Sequence, residues 1–323
     1  MKTLGIGVIG LGAIGAKHVS VLKNLREANI VGVADLDQEL VDKTISGTAI
    51  KGYTDYRQLL AHPDLEAIIV ATPDHLHKDI TIEAAQAGKH ILVEKPIATT
   101  VEDGEAMIAA AKEANVKLMV GFTLRFVPHY VQAREIIQSG KLGKVVSVYS
   151  RRMNVITQAD RLGGRIGVLH FLGIHDFDLL HWLLGVEPDQ VYSAESTSVV
   201  KRHPQENETF NTFKFKDGTL VCAHIGWNLT TAHPGGRDFK LTVIGDKGSL
   251  DIDLASQGLM MYSEFGSKFP STAPGLDVED KAFIDAVLDD KPVPATGEDG
   301  VIALKMVLAA IESIEKDAPV KIE

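Results

Sequence analysis

The sequence predicts an α/β protein: a doubly wound parallel sheet first, then an α+β region with a mostly antiparallel open sheet. Three observations carry this. From Met1 to about Phe122, short apolar runs alternate with amphipathic helical stretches, the pattern of a parallel sheet with helices on both faces. The first apolar run, Ile6–Ile9, ends in Gly10-Leu11-Gly12-Ala13-Ile14-Gly15, a glycine-rich turn from strand into helix. Beyond Phe122 strand-like runs follow one another directly, and Lys216-Asp217-Gly218 reads as a hairpin turn between two of them.

Taken in order, the first region offers strands at Ile6–Ile9, Ile30–Ala34, Ala67–Ala71, His90–Val93 and Leu118–Val120, with a weaker one over Ala49–Tyr53. Helices are expected between them at Ala13–Ala28, Gln38–Ile45, Tyr56–Ala61, His75–Ala87 and Val101–Ala114. Gly88 stops one helix and Thr100 caps the next. In the second region the expected helices are Pro128–Gln138, His175–Leu184, Val278–Leu288 and Val301–Ile314. Its strands are Val145–Arg152, Val191–Val200, Thr209–Phe215, Thr219–Trp227, Phe239–Gly245 and Ser249–Leu254, and Phe265–Gly275 reads as a loop. The expected domains are therefore 1–122, which binds a dinucleotide, and 123–323, which binds substrate and carries oligomerisation.

The glycine turn points to a dinucleotide. Its first glycine permits the tight turn, its second lets backbone approach a pyrophosphate, and its third lets helix pack on strand. The pyrophosphate then meets the free N–H groups of the helix N-terminus. Gly10, Gly12, Ala13 and Ile14 are the candidate contacts. Asp35 ends the second strand twenty positions after Gly15, where an acidic residue meets the ribose hydroxyls. Taken alone, Asp35 reads equally as a helix N-cap. Leu36 follows it rather than an arginine, which favours NAD over NADP.

The totals limit the function classes. At 323 residues two domains are expected, and 45% hydrophobic with 24% charged residues is an ordinary globular composition. A net charge of −10 argues against nucleic acid or an anionic membrane as partner. The single cysteine, Cys222, excludes an internal disulfide and lies in an apolar strand pattern. No signal-peptide pattern opens the chain and no apolar run approaches membrane length, so a cytoplasmic protein is expected. His75, His77, His170, His175 and His181 do not fall into a zinc-type cluster with Cys or Glu, and no metal is expected.

Several motifs together give a family resemblance. They are the glycine turn, Ala71-Thr72-Pro73 with His77 beyond it, Glu94-Lys95-Pro96, Arg125-Phe126, Gly173-Ile174-His175 with Asp178, and the stretch from Gly297 to Ser313. In these the chain resembles the glucose–fructose oxidoreductase / inositol dehydrogenase family over nearly its whole length. The resemblance implies NAD(P)-dependent hydride transfer on a small sugar, polyol or related hydroxy compound. It also implies homodimers or homotetramers built through the open sheet face, and a Lys95–Pro96 bond in the cis form. Ala71, Thr72, Pro73, His77, Glu94, Lys95 and Pro96 join the cofactor candidates through it.

The resemblance makes Lys95 and His175 the catalytic candidates. Lys95 leaves a buried strand at the ligand edge, and its ammonium would stabilise charge on a substrate oxygen. Imidazole suits the acid–base role of His175 because its unperturbed pKa, about 6.5, lies near working pH. Asp178, three residues on, shares a helical face with it and either orients the ring or is a structural partner. Substrate candidates are Arg125, Asn154, Asp178 and Trp227, with Arg152, Arg161 and Arg165 behind them; Trp227 reads equally as core. The sequence departs from the inositol dehydrogenase pattern at Phe171, where those enzymes carry an aspartate, which leaves room for His170 or Asp176 to stand in, or for no replacement. That departure sustains an alternative: a weak or inactive NAD-binding regulator or scaffold of the same fold.

Overall fold

The computed structural model describes residues 2–162, 165–196, 205–233, 236–253, 258–263 and 275–323. The chain forms two compact units, one from Met1–Phe126 with Pro274–Val301, the other from Val127–Ala273 with Ile302–Glu323. Compactness thus groups the stretch from 275 to 301 with the first unit, whereas the sequence reading placed a single boundary after 122.

In the first unit the strands are β1 (Leu4–Ile9), β2 (Ala28–Ala34), β3 (Lys51–Tyr53), β4 (Ala67–Val70), β5 (His90–Glu94) and β6 (Leu118–Gly121). They form one sheet in the order β3-β2-β1-β4-β5-β6, parallel throughout. This is the doubly wound order, in which ligands bind outside the carboxyl ends of the strands. Strands β1, β4 and β5 are nearly continuous apolar runs because helices cover both faces. Those helices are α1 (Ala13–Leu22), α2 (Gln38–Ile45), α3 (Tyr56–Leu60), α4 (His77–Gln86) and α5 (Val101–Glu113). The first helix ends at Leu22, short of the expected Ala28, because Asn24 and Leu25 turn back onto Val21 and Leu22 carbonyls and lead into β2. Thr100 caps α5 by accepting the Asp103 N–H, and Gly88 ends its helix at φ 70°.

In the second unit come α6 (Pro128–Gln138), β7 (Val145–Val155), α7 (Thr157–Leu162) and α8 (Ile174–Leu184). After them run β8 (Pro188–Glu195), β9 (Glu208–Phe215), β10 (Leu220–Leu229), β11 (Arg237–Gly245), β12 (Gly248–Asp253) and β13 (Gly258–Ser263). Helix α9 (Leu276–Leu288) belongs to the first unit, α10 (Gly297–Lys316) follows it, and β14 (Val320–Lys321) closes the chain. The second sheet has the order β13-β12-β11-β7-β10-β9-β8-β14. It is antiparallel except where β7 pairs with β10. Strand alternation separates its faces. Val148, Val221, Phe213 and Leu241 are buried on one side, where Phe177 of α8 meets Phe213 edge-on at 4.8 Å. The ends of the expected strands Val191–Val200 and Ser249–Leu254, and nearly all of the expected loop Phe265–Gly275, lie outside the described residues. Among the described residues no helix is long and apolar enough to cross a membrane.

Candidate functional site

The glycine turn joins β1 to α1 at the carboxyl edge of the first sheet. Gly10 has φ +90°, and a Cβ there would come within 2.7 Å of the Ala71 backbone. Gly12 is the reverse case: a Cβ there meets nothing within 4 Å. The first turn of α1 carries no side-chain cap and no acidic residue. Open space over bare backbone at a helix N-terminus fits a pyrophosphate. Ala13 and Ile14, at the start of the helix, are exposed.

Asp35 closes the turn from the next strand. Its carboxylate accepts the Leu11 N–H at 2.6 Å and the Asp37 N–H at 2.9 Å. It is not the cap of α2; Asp37 is, accepting from Glu39 and Leu40. Each Asp35 oxygen keeps a lone pair for a hydroxyl. A cleft of about 520 Å³ opens here, lined by Gly10, Gly12, Asp35, Leu36, Thr72 and Pro73 among others. Leu36 stands 87% exposed at its mouth. Arg57 also lines the cleft, and the sequence reading missed it because it comes from α3 rather than from the residue after Asp35. Its guanidinium is held by Glu83 at 2.7 Å and lies over the Tyr56 ring at 4.7 Å.

The other strand ends of this sheet carry Ala71-Thr72-Pro73 after β4 and Lys95-Pro96 after β5. His77 joins the two loops: its ring is buried, with one nitrogen 2.9 Å from the Thr72 carbonyl and the other 2.9 Å from the Pro96 carbonyl. Burial lowers its pKa. The Lys95–Pro96 bond is cis, as the resemblance implied. Lys95 is half-buried. Glu94, at the end of β5, turns its carboxylate back to the Lys95 backbone N–H at 3.1 Å and to His18 at 3.3 Å. Arg125, expected at substrate, is 4% exposed and donates to the Pro294 carbonyl and to Asp299, both at 3.1 Å.

In the second unit a π-helical turn, Leu169–Gly173, leads into α8. Such turns insert a residue into the helical ladder and re-aim the side chains around it. His175 lies in the first turn of α8 and is half-buried, while Asp178 is 1% exposed one turn on. Asp176 is committed elsewhere: its carboxylate pairs with the buried Arg152 guanidinium, which also stacks on Phe239 at 4.2 Å. Neither is therefore disposed as the sequence reading entertained, Asp176 as a stand-in carboxylate or Arg152 as a substrate contact. Phe171 packs beside Trp227, ring centres 6.1 Å apart. Trp227 is 1% exposed and its indole N–H donates to the Asn207 side chain at 2.7 Å. Asn154 is half-buried near the end of β7, opposite Arg237. The Arg161 side chain lies outside the described residues.

Sequence reasoning also missed one cluster in the first unit. His18, Glu279 and Asp280 are the described residues whose ligating atoms lie close enough together to hold a metal ion. The imidazole Nδ1 and the Asp280 carboxylate are 2.7 Å apart, a hydrogen-bond distance. No local signal marks the cluster, since His18 and Asp280 are 262 positions apart.

Comparison with known proteins agrees over both units. A model of an oxidoreductase family, NAD-binding Rossmann fold, matches residues 4–122, and the C-terminal alpha/beta domain of the same family matches 134–322. The inositol 2-dehydrogenase/D-chiro-inositol 3-dehydrogenase of Shouchella clausii is 30% identical over 339 aligned positions, covering 99% of this chain and 94% of its own. The myo-inositol 2-dehydrogenase of Thermotoga maritima is 28% identical, with 98% of each chain covered. Among solved structures, GenD2 from gentamicin A biosynthesis in complex with NAD superposes with a TM-score of 0.88 at 26% identity, over 100% of this chain and 97% of its own.

Proposed function

The chain belongs to the glucose–fructose oxidoreductase / inositol dehydrogenase / MocA family of oxidoreductases, and we propose that it is an NAD-dependent dehydrogenase of a sugar, cyclitol or related polyol. It acts on a secondary alcohol or a hemiacetal carbon. The observation that carries this reading is the shared edge: the glycine turn, Asp35 and Glu94-Lys95-Pro96 all stand at carboxyl ends of one parallel sheet. The names of the inositol dehydrogenases above point to the same substrate class.

The residues divide the work as follows. The α1 N-terminus and the Gly10–Gly12 backbone hold the pyrophosphate, and Asp35 accepts the ribose hydroxyls and repels a 2′-phosphate. The bound nicotinamide supplies the hydride acceptor. Lys95 donates a hydrogen bond to the substrate oxygen and stabilises negative charge there. His175 takes the hydroxyl proton. With Phe171 in place of a carboxylate and Asp176 paired with Arg152, Asp178, three residues on from His175, takes the role of steadying the imidazolium.

A panel of sugars and cyclitols, read by NADH absorbance, tests the reading. Turnover with at least one is expected. NADH binding without turnover on any of them would replace it with the regulatory alternative. On the best substrate His175→Ala should lower kcat about 10²–10⁴-fold with NADH affinity nearly unchanged, and Lys95→Ala should do at least as much damage. NAD should bind more tightly than NADP, and Asp35→Ser should narrow the gap, with Arg57 already in the cleft to meet a phosphate. Equal affinities in the parent protein would sink the role of Asp35.

The proposed oligomer uses the other face of the second sheet. Tyr149, Tyr192, Phe210, Leu220 and Ile244 lie on it, each between 40% and 52% exposed. An apolar patch of this kind marks an interaction surface. A second copy of this chain is the proposed cover, and a monomer in light scattering at micromolar concentration would contradict it.

A further inference from the structure

The chemistry at the sheet edge is backed by a chain of buried contacts that reaches from Glu94 to residues outside the site motifs. His18, on α1, is fully buried. Its Nδ1 lies 2.7 Å from Asp280 Oδ1 on α9 and its Nε2 lies 3.3 Å from Glu94 Oε1 on β5. The second Glu94 oxygen accepts the Lys95 backbone N–H at 3.1 Å. Gly121 of β6 closes the far side: a Cβ there would come within 3.3 Å of the Glu94 carboxyl. Glu279 completes the surroundings and takes a hydrogen bond from Thr123 at 3.4 Å. A chain of contacts therefore runs from Asp280 through His18 and Glu94 to the backbone of Lys95.

We propose that His18 is a positioning residue: hydrogen-bonded on both sides, its ring fixes the Glu94 carboxylate that receives the Lys95 N–H, and so sets where Lys95 leaves the sheet. The proposal rests on the reading that Lys95 acts on the substrate oxygen. A neutral imidazole has one N–H and cannot donate to two carboxylates. With both carboxyls ionised, two donated bonds require an imidazolium. Burial works against that charge, but the two carboxylates outweigh it and carry the pKa to about 10. Burial and the neighbouring Glu94 charge push the Glu279 carboxyl well above its usual range, and burial raises the Asp280 carboxyl too, against the pull of the His18 bond. An imidazolium with an anion on each side has one preferred orientation, whereas a neutral ring would have two tautomers to choose between.

Amide variants separate the two bonds. His18→Gln places an amide N–H near the Nε2 position and keeps the Glu94 bond; His18→Asn places it near Nδ1 and keeps only the Asp280 bond. Misplacing a catalytic group by about 1 Å costs on the order of a hundredfold in rate. On the best substrate of the panel, His18→Asn is expected to lower kcat roughly ten- to a hundredfold, with KM and NADH affinity little changed, and His18→Gln to recover most of the loss. In a Lys95→Ala background His18→Asn should add no further loss. Equal losses in the two amide variants, or a full His18→Asn loss on top of Lys95→Ala, would overturn the positioning role. A Lys95→Ala variant with undiminished kcat would instead remove the premise, and that single variant reads it separately. Should His18→Asn fail to fold, nitrogen NMR of the ¹⁵N-histidine-labelled holoenzyme with NADH decides. Both ring nitrogens of His18 should stay protonated at pH 7 and well above it, given a pKa of about 10; a neutral ring at pH 7 overturns the proposal.

Discussion

His18 and His129 are both buried, one in each unit, 0% and 3% exposed, yet their charges are set in opposite directions. Burial disfavours the charged form of both rings. His18 has a carboxylate against each nitrogen, and its pKa rises to about 10. Neither His129 nitrogen has a hydrogen-bond partner; burial and then the Arg152 charge carry its pKa down to about 4. Depth alone therefore decides nothing about a histidine. The atoms within 3 or 4 Å decide whether it is a cation holding acids in place or a neutral aromatic packed edge-on against Tyr130 at 4.4 Å.

The strongest way to break the contrast is to remove the acid partner in each unit. Asp280→Asn leaves His18 with one carboxylate, and Asp176→Asn leaves the Arg152 guanidinium buried without its ion pair. Breaking a buried pair from one side costs about 3–5 kcal/mol, and both variants should show a loss of that size in urea unfolding. A loss below about 1 kcal/mol at Asp280 would mean that the ring is not held as a cation by that acid.

The pH dependence separates the two rings next. A raised histidine pKa contributes stability that is complete below the unfolded value, near pH 6.5, and is lost as pH rises through about 10. The raised Glu279 carboxyl acts in the same sense. Melting temperature should accordingly fall from pH 6.5 towards pH 10, and the slope should flatten in His18→Gln. An unchanged slope would place the alkaline loss elsewhere.

His129 gives the opposite and smaller effect. Its lowered pKa leaves stability unaffected above about pH 6.5 and removes stability as pH falls from there towards 4, because the unfolded chain binds the proton that the folded ring refuses. The loss should reach roughly 2 kcal/mol at pH 5. His129→Phe conserves most of the volume, should cost less than about 1.5 kcal/mol at pH 7, and should remove this acid slope. A variant that melts with the parent pH profile would show that the ring is hydrated or charged after all.

The two units also differ in how much of them the sequence made legible. In the first, each expected strand appears within two residues at either end, and Gln38–Ile45 is a helix with the expected bounds. Parallel strands buried on both faces are written as apolar runs, and their helices as amphipathic ones, so local periodicity is enough. In the second, β7 to β12 match expected strands, but the parallel pairing of β7 with β10 is not among the expectations. Order in a sheet of sequential strands depends on which edges meet, and alternation within one strand carries no record of that. Strand β13 has no expected counterpart; the short α7 and β14 lack a run long enough to show a period, and the π-helical turn before α8 has none of its own.

The candidate site divides along the same line. The glycine turn, Asp35, Glu94-Lys95-Pro96 and His175 could be singled out because their chemistry is bound to short spacings and strand ends, which hold whatever surrounds them. What each carboxylate or guanidinium does with its charge was decided only by folding. Arg125 went to Asp299, Arg152 to Asp176, and Glu94 to a histidine 76 positions earlier in the chain. A local motif depends on backbone geometry over a few residues and survives in any sequence window that contains it. The charge state of a buried group depends on partners brought within hydrogen-bond reach from anywhere in the chain, and for His18 the decisive one lay 262 residues away.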